Sequence, residues 1–392
     1  MKKSKSFSVD TELMHLGREP AEHYGFVNTP IYRGSTVLFP TMDDFVHLRG
    51  RYDYGRIKTP ISEALDTAWA SLCKAAGAVT LPSGVAAITV ALLSCLKAGD
   101  RILVTDSVYA PTRRLCDKFL TKYGIEADYY DPMIGADIAK LFTPNTKAVF
   151  VEAPGSLTFE VQDIPAIAKV AHDNGALVLM DNTWATPLYF SPHEHGVDLA
   201  IEAGTKYLCG HSDVLMGLVS ANEKAWPALK ETHFMMGMCA SADDQFLALR
   251  GMRTMSVRLK QQGEAALNIA RWLSEQPEVA RVLHPALPCC PGHEFWKRDF
   301  TGACGLFAIE LQKNISSEAI AHMVDGLELF GIGASWGGFE SLIIPFDCKI
   351  RTTRTCEPKG SCLRIHIGLE DEKDLIADLQ AGFVRLQQTK AA

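Results

Sequence analysis

Between residues 101 and 202, short apolar runs alternate with stretches of helical length, and this alternation restricts the fold more than any other feature of the chain. Residues 101–105, 125–130, 147–152, 176–180 and 198–202 read as strands. Residues 112–122 and 164–173 read as helices, the second starting at Asp163 and stopping at Gly175. Such alternation builds βαβ units, and βαβ units build a mostly parallel sheet with helices on both faces.

The flanking regions have a different texture. Residues 1–55 lack sustained periodicity, contain Pro30 and Pro40, and read as an extended N-terminal arm. Residues 62–75 predict a helix with Ser62 as its N-cap, and residues 85–96 a second one closed by Gly99. Near Gly251 the pattern changes. A helix over 255–275 leads into Pro285, Pro288 and Pro291; strands follow at 305–311 and 362–367, with helices at 317–329 and 371–388. The expected division is an arm (1–55), a large domain (56–250) and a smaller C-terminal α/β domain (251–392).

With 47% hydrophobic and 22% charged residues, the 392-residue chain has the profile of a soluble globular protein. Its 39 Lys and Arg against 46 Asp and Glu leave a net charge of −7. That supplies no basic field for a nucleic acid or an anionic membrane surface. The basic start is followed by polar residues 10–22, so no secretory signal is expected. No uncharged run reaches the roughly 18 apolar residues of a membrane span. The eleven cysteines lie mostly inside apolar segments, which suits reduced thiols and a cytoplasmic location. Cys289-Cys290 reads as a loop, with a vicinal disulfide or soft-metal site as the other reading. His193-x-His195 lacks a third ligand nearby and reads as a loop.

The chain carries no Gly-x-Gly-x-x-Gly after a strand, no Gly-Lys-Ser/Thr phosphate loop, no His-Glu-x-x-His and no Cys-x-x-Cys. Ligands of doubly wound sheets bind beyond the carboxyl ends of the strands. Four features sit at such places: Asp181 after ALVLM, Thr205-Lys206 after the strand near 199–202, Ser83-Gly84-Val85 at the opening of a helix, and Tyr109 after the strand 101–105. Singly each has an ordinary explanation, as a helix cap, a surface lysine, a turn or a packing aromatic. Together they supply an acid, an amine, a phosphate cradle and an aromatic plate. Pyridoxal 5′-phosphate requires that set: a lysine for the Schiff base and an acid for the pyridinium nitrogen.

The spacing from Asp181-Asn182-Thr183-Trp184 to Gly204-Thr205-Lys206-Tyr207 and Gly210-His211-Ser212-Asp213 resembles the Cys/Met-metabolism family of pyridoxal-phosphate enzymes, fold type I. Tyr54-Gly55-Arg56 resembles the family's phosphate clamp, which reaches into a neighbouring subunit's site. Arg364, in Leu363-Arg364-Ile365-His366, resembles its α-carboxylate-binding arginine. The resemblance implies a seven-stranded-type central sheet, a homotetramer, and a small amino-acid substrate. It assigns Lys206 as Schiff-base lysine and general base, Asp181 as partner of the ring nitrogen and Tyr109 as stacking residue. Tyr54, Arg56, Ser83, Gly84, Val85 and Thr205 would hold the cofactor, and Arg364, Ser335 and Trp336 the substrate.

Within the family, Ser335-Trp336-Gly337-Gly338-Phe339-Glu340-Ser341 carries Trp336 where γ-acting relatives usually have a smaller residue, and Gly155-Ser156 stand where those relatives have Asn-Pro. Both resemble the bacterial cystathionine β-lyase branch, which cleaves a Cβ–S bond in methionine biosynthesis. The competing activities are a broader cysteine-conjugate or cystine β-lyase and a γ-synthase or γ-lyase. Two positions depart from relatives. Ala203 replaces a frequent serine three residues before the lysine. Ile57, followed by Lys58, stands where some bacterial relatives carry a second arginine for the distal end of the substrate.

Overall fold

The computed structural model describes residues 7–313, 315–353 and 358–390. Its larger sheet has seven strands: β1 (Gly77–Leu81), β2 (Arg101–Thr105), β3 (Glu126–Tyr130), β4 (Thr146–Glu152), β5 (Leu177–Asp181), β6 (Leu199–Glu202) and β7 (Gly217–Ala221). The spatial order is β1-β7-β6-β5-β4-β2-β3. Every pairing from β6 to β3 is parallel, and β7 alone runs against both its neighbours. The expected mostly parallel sheet is therefore present.

Successive side chains of a strand face opposite sides, and here both sides are covered. Val149, Val151, Val178 and Met180 join one buried cluster; Ala148, Phe150 and Leu179 join another on the other face. The helix Gly84–Cys95 packs on the second face, and the helix Pro60–Leu72 on the first. A smaller antiparallel sheet follows, with β8 (Val279–Leu283), β9 (Leu306–Leu311), β10 (Leu342–Phe346) and β11 (Cys362–His366) in the order β10-β11-β9-β8. Phe307, Ile309, Leu363 and Ile365 pack it against the helices Ser317–Asp325 and Glu372–Lys390.

One helix, Ala242–Ser274, belongs to both units. Ala248, Met252, Met255 and Leu259 of its first half are buried with the large sheet, and Ala265, Ile269 and Leu273 of its second half with the small one. At 33 residues it is about 50 Å long at 1.5 Å per residue. The sequence reading started this helix at 255, because Gly251 and its surroundings look like a boundary. The structure corrects that. A Cβ on Gly251 would lie 2.3 Å from the Leu208 carbonyl oxygen, so this glycine lets the helix approach the loop that carries Lys206.

Other boundaries shift for local reasons. The first long helix begins at Pro60, and its N-cap is Thr59, not Ser62. Thr59 Oγ1 accepts from the Ser62 amide at 3.3 Å while Ser62 Oγ accepts from the Thr59 amide at 2.9 Å, a capping box. The helix expected at 112–122 stops at Lys118 and continues as a separate 3₁₀ turn, Leu120–Tyr123. The arm is not wholly extended: it contains the helices Val9–His15 and Met42–Val46. Cys289 lies exposed in a loop, and the Cys290 Sγ sits 3.3 Å from the Phe159 carbonyl oxygen. Among the described residues no helix is long and apolar enough to cross a membrane, and no cluster of three metal-ligating side chains occurs.

The capping box carries a stability expectation. Thr59→Ala removes an N-cap acceptor and should lower unfolding free energy by about 1 kcal/mol in a urea titration; an unchanged midpoint would show that the cap contributes nothing.

Candidate active site

Strands β2, β4, β5 and β6 point the same way, so their carboxyl ends open at one edge of the large sheet. A cavity of about 560 Å³ lies there, closed on its far side by the turn at 334–336 and by β11 of the small sheet. Ser83, Gly84, Val85, Tyr109, Asp181, Thr205, Lys206, Ser335, Trp336 and Arg364 all line it. Residues scattered over 280 positions of sequence are thus brought around one space.

Lys206 lies four residues beyond the end of β6. Its Nζ is 2.6 Å from Ser335 Oγ and 5.2 Å from the centroid of the Trp336 ring. Burial disfavours its charge, the Arg364 cation disfavours it further, and Asp181 only partly offsets them. The amine is pushed from 10.5 down to about 8. Trp336 in turn tilts against Tyr207, with centroids 5.5 Å apart.

The turn that delivers Ser335 and Trp336 is tightly fixed. Gly337 has φ +82°, and a Cβ there would come within 3.0 Å of the Lys206 backbone. Its amide donates to His366 Nε2 at 2.9 Å, which leaves His366 Nδ1 to donate to the Glu340 carbonyl at 3.1 Å. Burial holds that imidazole neutral, down at about 3. The Gln262 side-chain amide donates to the Gly338 carbonyl at 2.6 Å.

Asp181 ends β5, in register with Glu152 on β4. Burial pushes its carboxyl above the ordinary value, while the Thr183 donors and Lys206 pull it back. Its Oδ1 accepts from the Thr183 amide at 3.0 Å. Tyr109 precedes the helix Ala110–Lys118, and its amide donates to Glu152 Oε2 at 2.7 Å. Arg364, on β11, spends one nitrogen: Nη2 donates to the carbonyls of Gly333, Ala334 and Ser335 at 3.2, 2.9 and 3.0 Å. Desolvation lowers its guanidinium to about 10, so it remains charged at neutral pH. Among the described residues, its Nε and Nη1 make no hydrogen bond, which leaves donors for a carboxylate.

The cofactor that the sequence points to can be tested against this geometry. Ser83 Oγ caps the Ala86 amide at 3.1 Å, and the Ala87 amide bonds the Ser83 carbonyl. The amides of Gly84 and Val85 have no partner among the described residues, and both residues line the cavity. Free N–H groups at the start of a twelve-residue helix suit a phosphate. Asp181 suits a ring nitrogen, and a lysine amine with depressed basicity suits an aldehyde. The residues fit pyridoxal phosphate.

The structure adds detail at three of the expected residues. Thr205 lines the cavity, but its hydroxyl donates to the Met216 carbonyl at 3.2 Å and accepts from the Met216 amide at 3.0 Å. Tyr54 and Arg56 lie outside the chain's own cavity. Tyr54 pairs with Thr36, and Arg56 donates to the Phe234 carbonyl at 2.9 Å and lies over that ring. Glu152, Asp347 and Arg351 line the cavity without having been singled out. Glu152 shared the signal that revealed Asp181, an acid closing a strand. Asp347 and Arg351 lie in a loop whose sequence has no periodicity to read. His193 and His195, read as a loop, lie in a 3₁₀ turn (Pro192–His195) and bond the carbonyls of Val197 and Ser191.

The matches to known proteins agree with this geometry. The cystathionine beta-lyase of Escherichia coli (strain K12) is 43% identical over 389 residues, 96% of this chain and 98% of that protein. An L-alanine/L-glutamate racemase of Wolbachia pipientis wMel is 40% identical over 390 residues, 95% of this chain and 96% of that one. A cystathionine gamma synthase from Xanthomonas oryzae pv. oryzae, solved in complex with cystathionine, has a TM-score of 0.91 at 31% identity, over 98% of this chain and 100% of that chain. The family model for Cys/Met metabolism PLP-dependent enzymes matches residues 10–384, and the chain belongs to that family.

Proposed function

We propose that the protein is a carbon–sulfur lyase that cleaves the Cβ–S bond of L-cystathionine, with water, to homocysteine, pyruvate and ammonia. The observation that carries this reading is the Lys206 amine, depressed to about 8, held 2.6 Å from Ser335 beside Trp336 in a cavity shared with Asp181 and Arg364. Trp336 and the Gly155-Ser156 pair support β- over γ-cleavage through resemblance. The similarity to the Escherichia coli lyase supports it independently.

The residues divide the work as follows. Arg364 offers Nε and Nη1 to the α-carboxylate and fixes the substrate's orientation. The Gly84 and Val85 amides would hold the cofactor's phosphate, Tyr109 would lie against its ring, and Asp181 would keep the ring nitrogen protonated. When bound, the cofactor supplies an electrophilic carbon and an electron-withdrawing ring that acidifies the substrate's Cα–H. Lys206 Nζ takes that proton as general base and passes it to the departing sulfur. Ser335 Oγ keeps Nζ on the reacting side, and the neutral His366 holds the turn that carries Ser335.

We further propose a homotetramer in which the arm (1–55) carries Tyr54, and Arg56 follows it, into the neighbouring chain's cavity, beside a cofactor domain (56–250) and a C-terminal domain (251–392). The exposure of Leu38, Met42, Phe45 and Leu48 on that arm supports a covering partner. A cytoplasmic location accompanies this reading.

Product analysis with cystathionine tests the activity. Pyruvate and homocysteine are expected; cysteine with 2-oxobutyrate would mean γ-cleavage, and D-alanine formed from L-alanine without thiol release would mean a racemase. The lysine's environment gives a pH expectation. Below about 8 the amine is protonated and cannot attack the aldehyde, and above it the amine is free. The rate at which cofactor-free protein regains its visible absorbance should rise through pH 8; a midpoint near 10.5 would contradict the burial argument. Mixing an Arg56→Ala chain with a Lys206→Ala chain, each inactive alone, should restore activity in hybrid oligomers, and no recovery would refute the shared site.

A further inference from the structure

The segment after β10 crosses from the small sheet to the rim of the large one, and it is fastened there. The Thr352 and Thr353 amides donate to Asp106 Oδ2 at 2.8 and 2.7 Å, and the Thr353 hydroxyl donates to the same oxygen at 2.7 Å. Asp106, just past β2, is 1% exposed and also pairs with the buried Arg113. Burial opposes its charge, but the Thr353 and Thr352 donors and Arg113 outweigh burial and hold its carboxyl below the ordinary value. One residue earlier, Arg351 donates to Glu160 Oε1 at 3.0 Å and to the Ser156 carbonyl at 2.7 Å. These contacts fix the backbone at 351–353 and the Arg351 side chain beside the cavity wall.

Ile344, Asp347, Cys348, Ile350 and Arg351 form that wall. Among the described residues lining the cavity there are three cations. Lys206 serves the reacting carbon and Arg364 the α-carboxylate; Arg351 is paired with Glu160, and among the described residues its remaining N–H donors have no hydrogen-bond partner. There are four acids. Asp181 faces the ring nitrogen's place, Glu152 accepts from Tyr109, and Asp106 is saturated by the segment itself; Asp347 is left over. Among the described residues, Asp347 bonds the Lys349 amide and ammonium, each at 3.1 Å, in an exposed pair. A cation and an anion four residues apart on one segment complement an amino-acid zwitterion, and Arg351 uses two of its five N–H donors on protein.

We propose that this segment is the distal substrate subsite, with Arg351 meeting the carboxylate and Asp347 the ammonium of the homocysteine half of cystathionine. The proposal rests on the β-cleavage reading and deepens it. It supplies the distal recognition that Ile57, in place of a second arginine, does not provide.

The test compares two substrates with the same Cβ–S bond: L-cystathionine, which carries the distal zwitterion, and S-methyl-L-cysteine, which lacks it. In Arg351→Gln and in Asp347→Asn holoenzyme, the ratio of KM for cystathionine to KM for S-methylcysteine should rise about tenfold over wild type, the size of one lost charged hydrogen bond. Arg351→Gln also removes the Glu160 contact; Asp347 is half-exposed, so its variant reads the subsite without that disturbance. An unchanged ratio in both variants overturns the subsite while leaving β-cleavage standing. Absence of pyruvate from either substrate with wild-type enzyme overturns β-cleavage and the subsite together.

Discussion

The amine of Lys206 is kept out of water by parts of the chain that approach it from two sheets, and the rest of the site depends on that enclosure. The parallel strands bring Asp181 and Lys206 to one edge, as carboxyl ends of such strands must. They cannot close the space above that edge. Closure comes from β11 with Arg364 and from the Ser335-Trp336-Gly337 turn, which presses on the Lys206 backbone. The helix Ala242–Ser274 makes the approach reproducible, because each half is embedded in a different core. Gly251 lets it pass against the lysine's own loop.

Enclosure has an electrostatic consequence that runs in opposite directions for the two key groups. Burial lowers the lysine and raises the aspartate, so each group's charged form is disfavoured unless an opposite charge faces it. Glu152, in register with Asp181, and Glu202, at the end of β6 with neither oxygen partnered among the described residues, are pushed up in the same way and more strongly. Three acids at neighbouring strand ends cannot all be ionised in a dry space. Asp181 is the one that faces both Lys206 and the cavity, so a protonated ring nitrogen placed there would favour its charge. The site is therefore complementary to a cationic ring before any substrate arrives.

How much of this was legible in sequence follows from what each element depends on. Strands β2, β4, β5 and β6 were found within a residue or so, because burial on both faces turns them into continuous apolar runs. Strands β1 (GAVTL) and β7 (GLVSA) escaped because small residues and glycine carry little strand signal. Strand β10 escaped because Pro345 interrupts it, which is tolerated only because β10 is an edge. Asp181, Lys206, Tyr109 and Ser83 could be singled out because each lies within four residues of a strand end. The Thr59 cap was missed by three residues because Ser62, its reciprocal partner, has the same chemistry.

The distal wall was invisible for a different reason. Asp347 and Arg351 have no periodic neighbourhood, and their placement is decided by Asp106 and Glu160, some two hundred residues earlier. The reacting end of the cavity is built from strand termini, which the whole sheet holds in place. The far end is built from a loop whose position rests on two buried carboxylates. A chain can therefore keep the first and alter the second without disturbing the core. If the proposed subsite holds, what selects the substrate's distal half lies in the fastened loop, apart from the strand ends that carry Asp181 and Lys206.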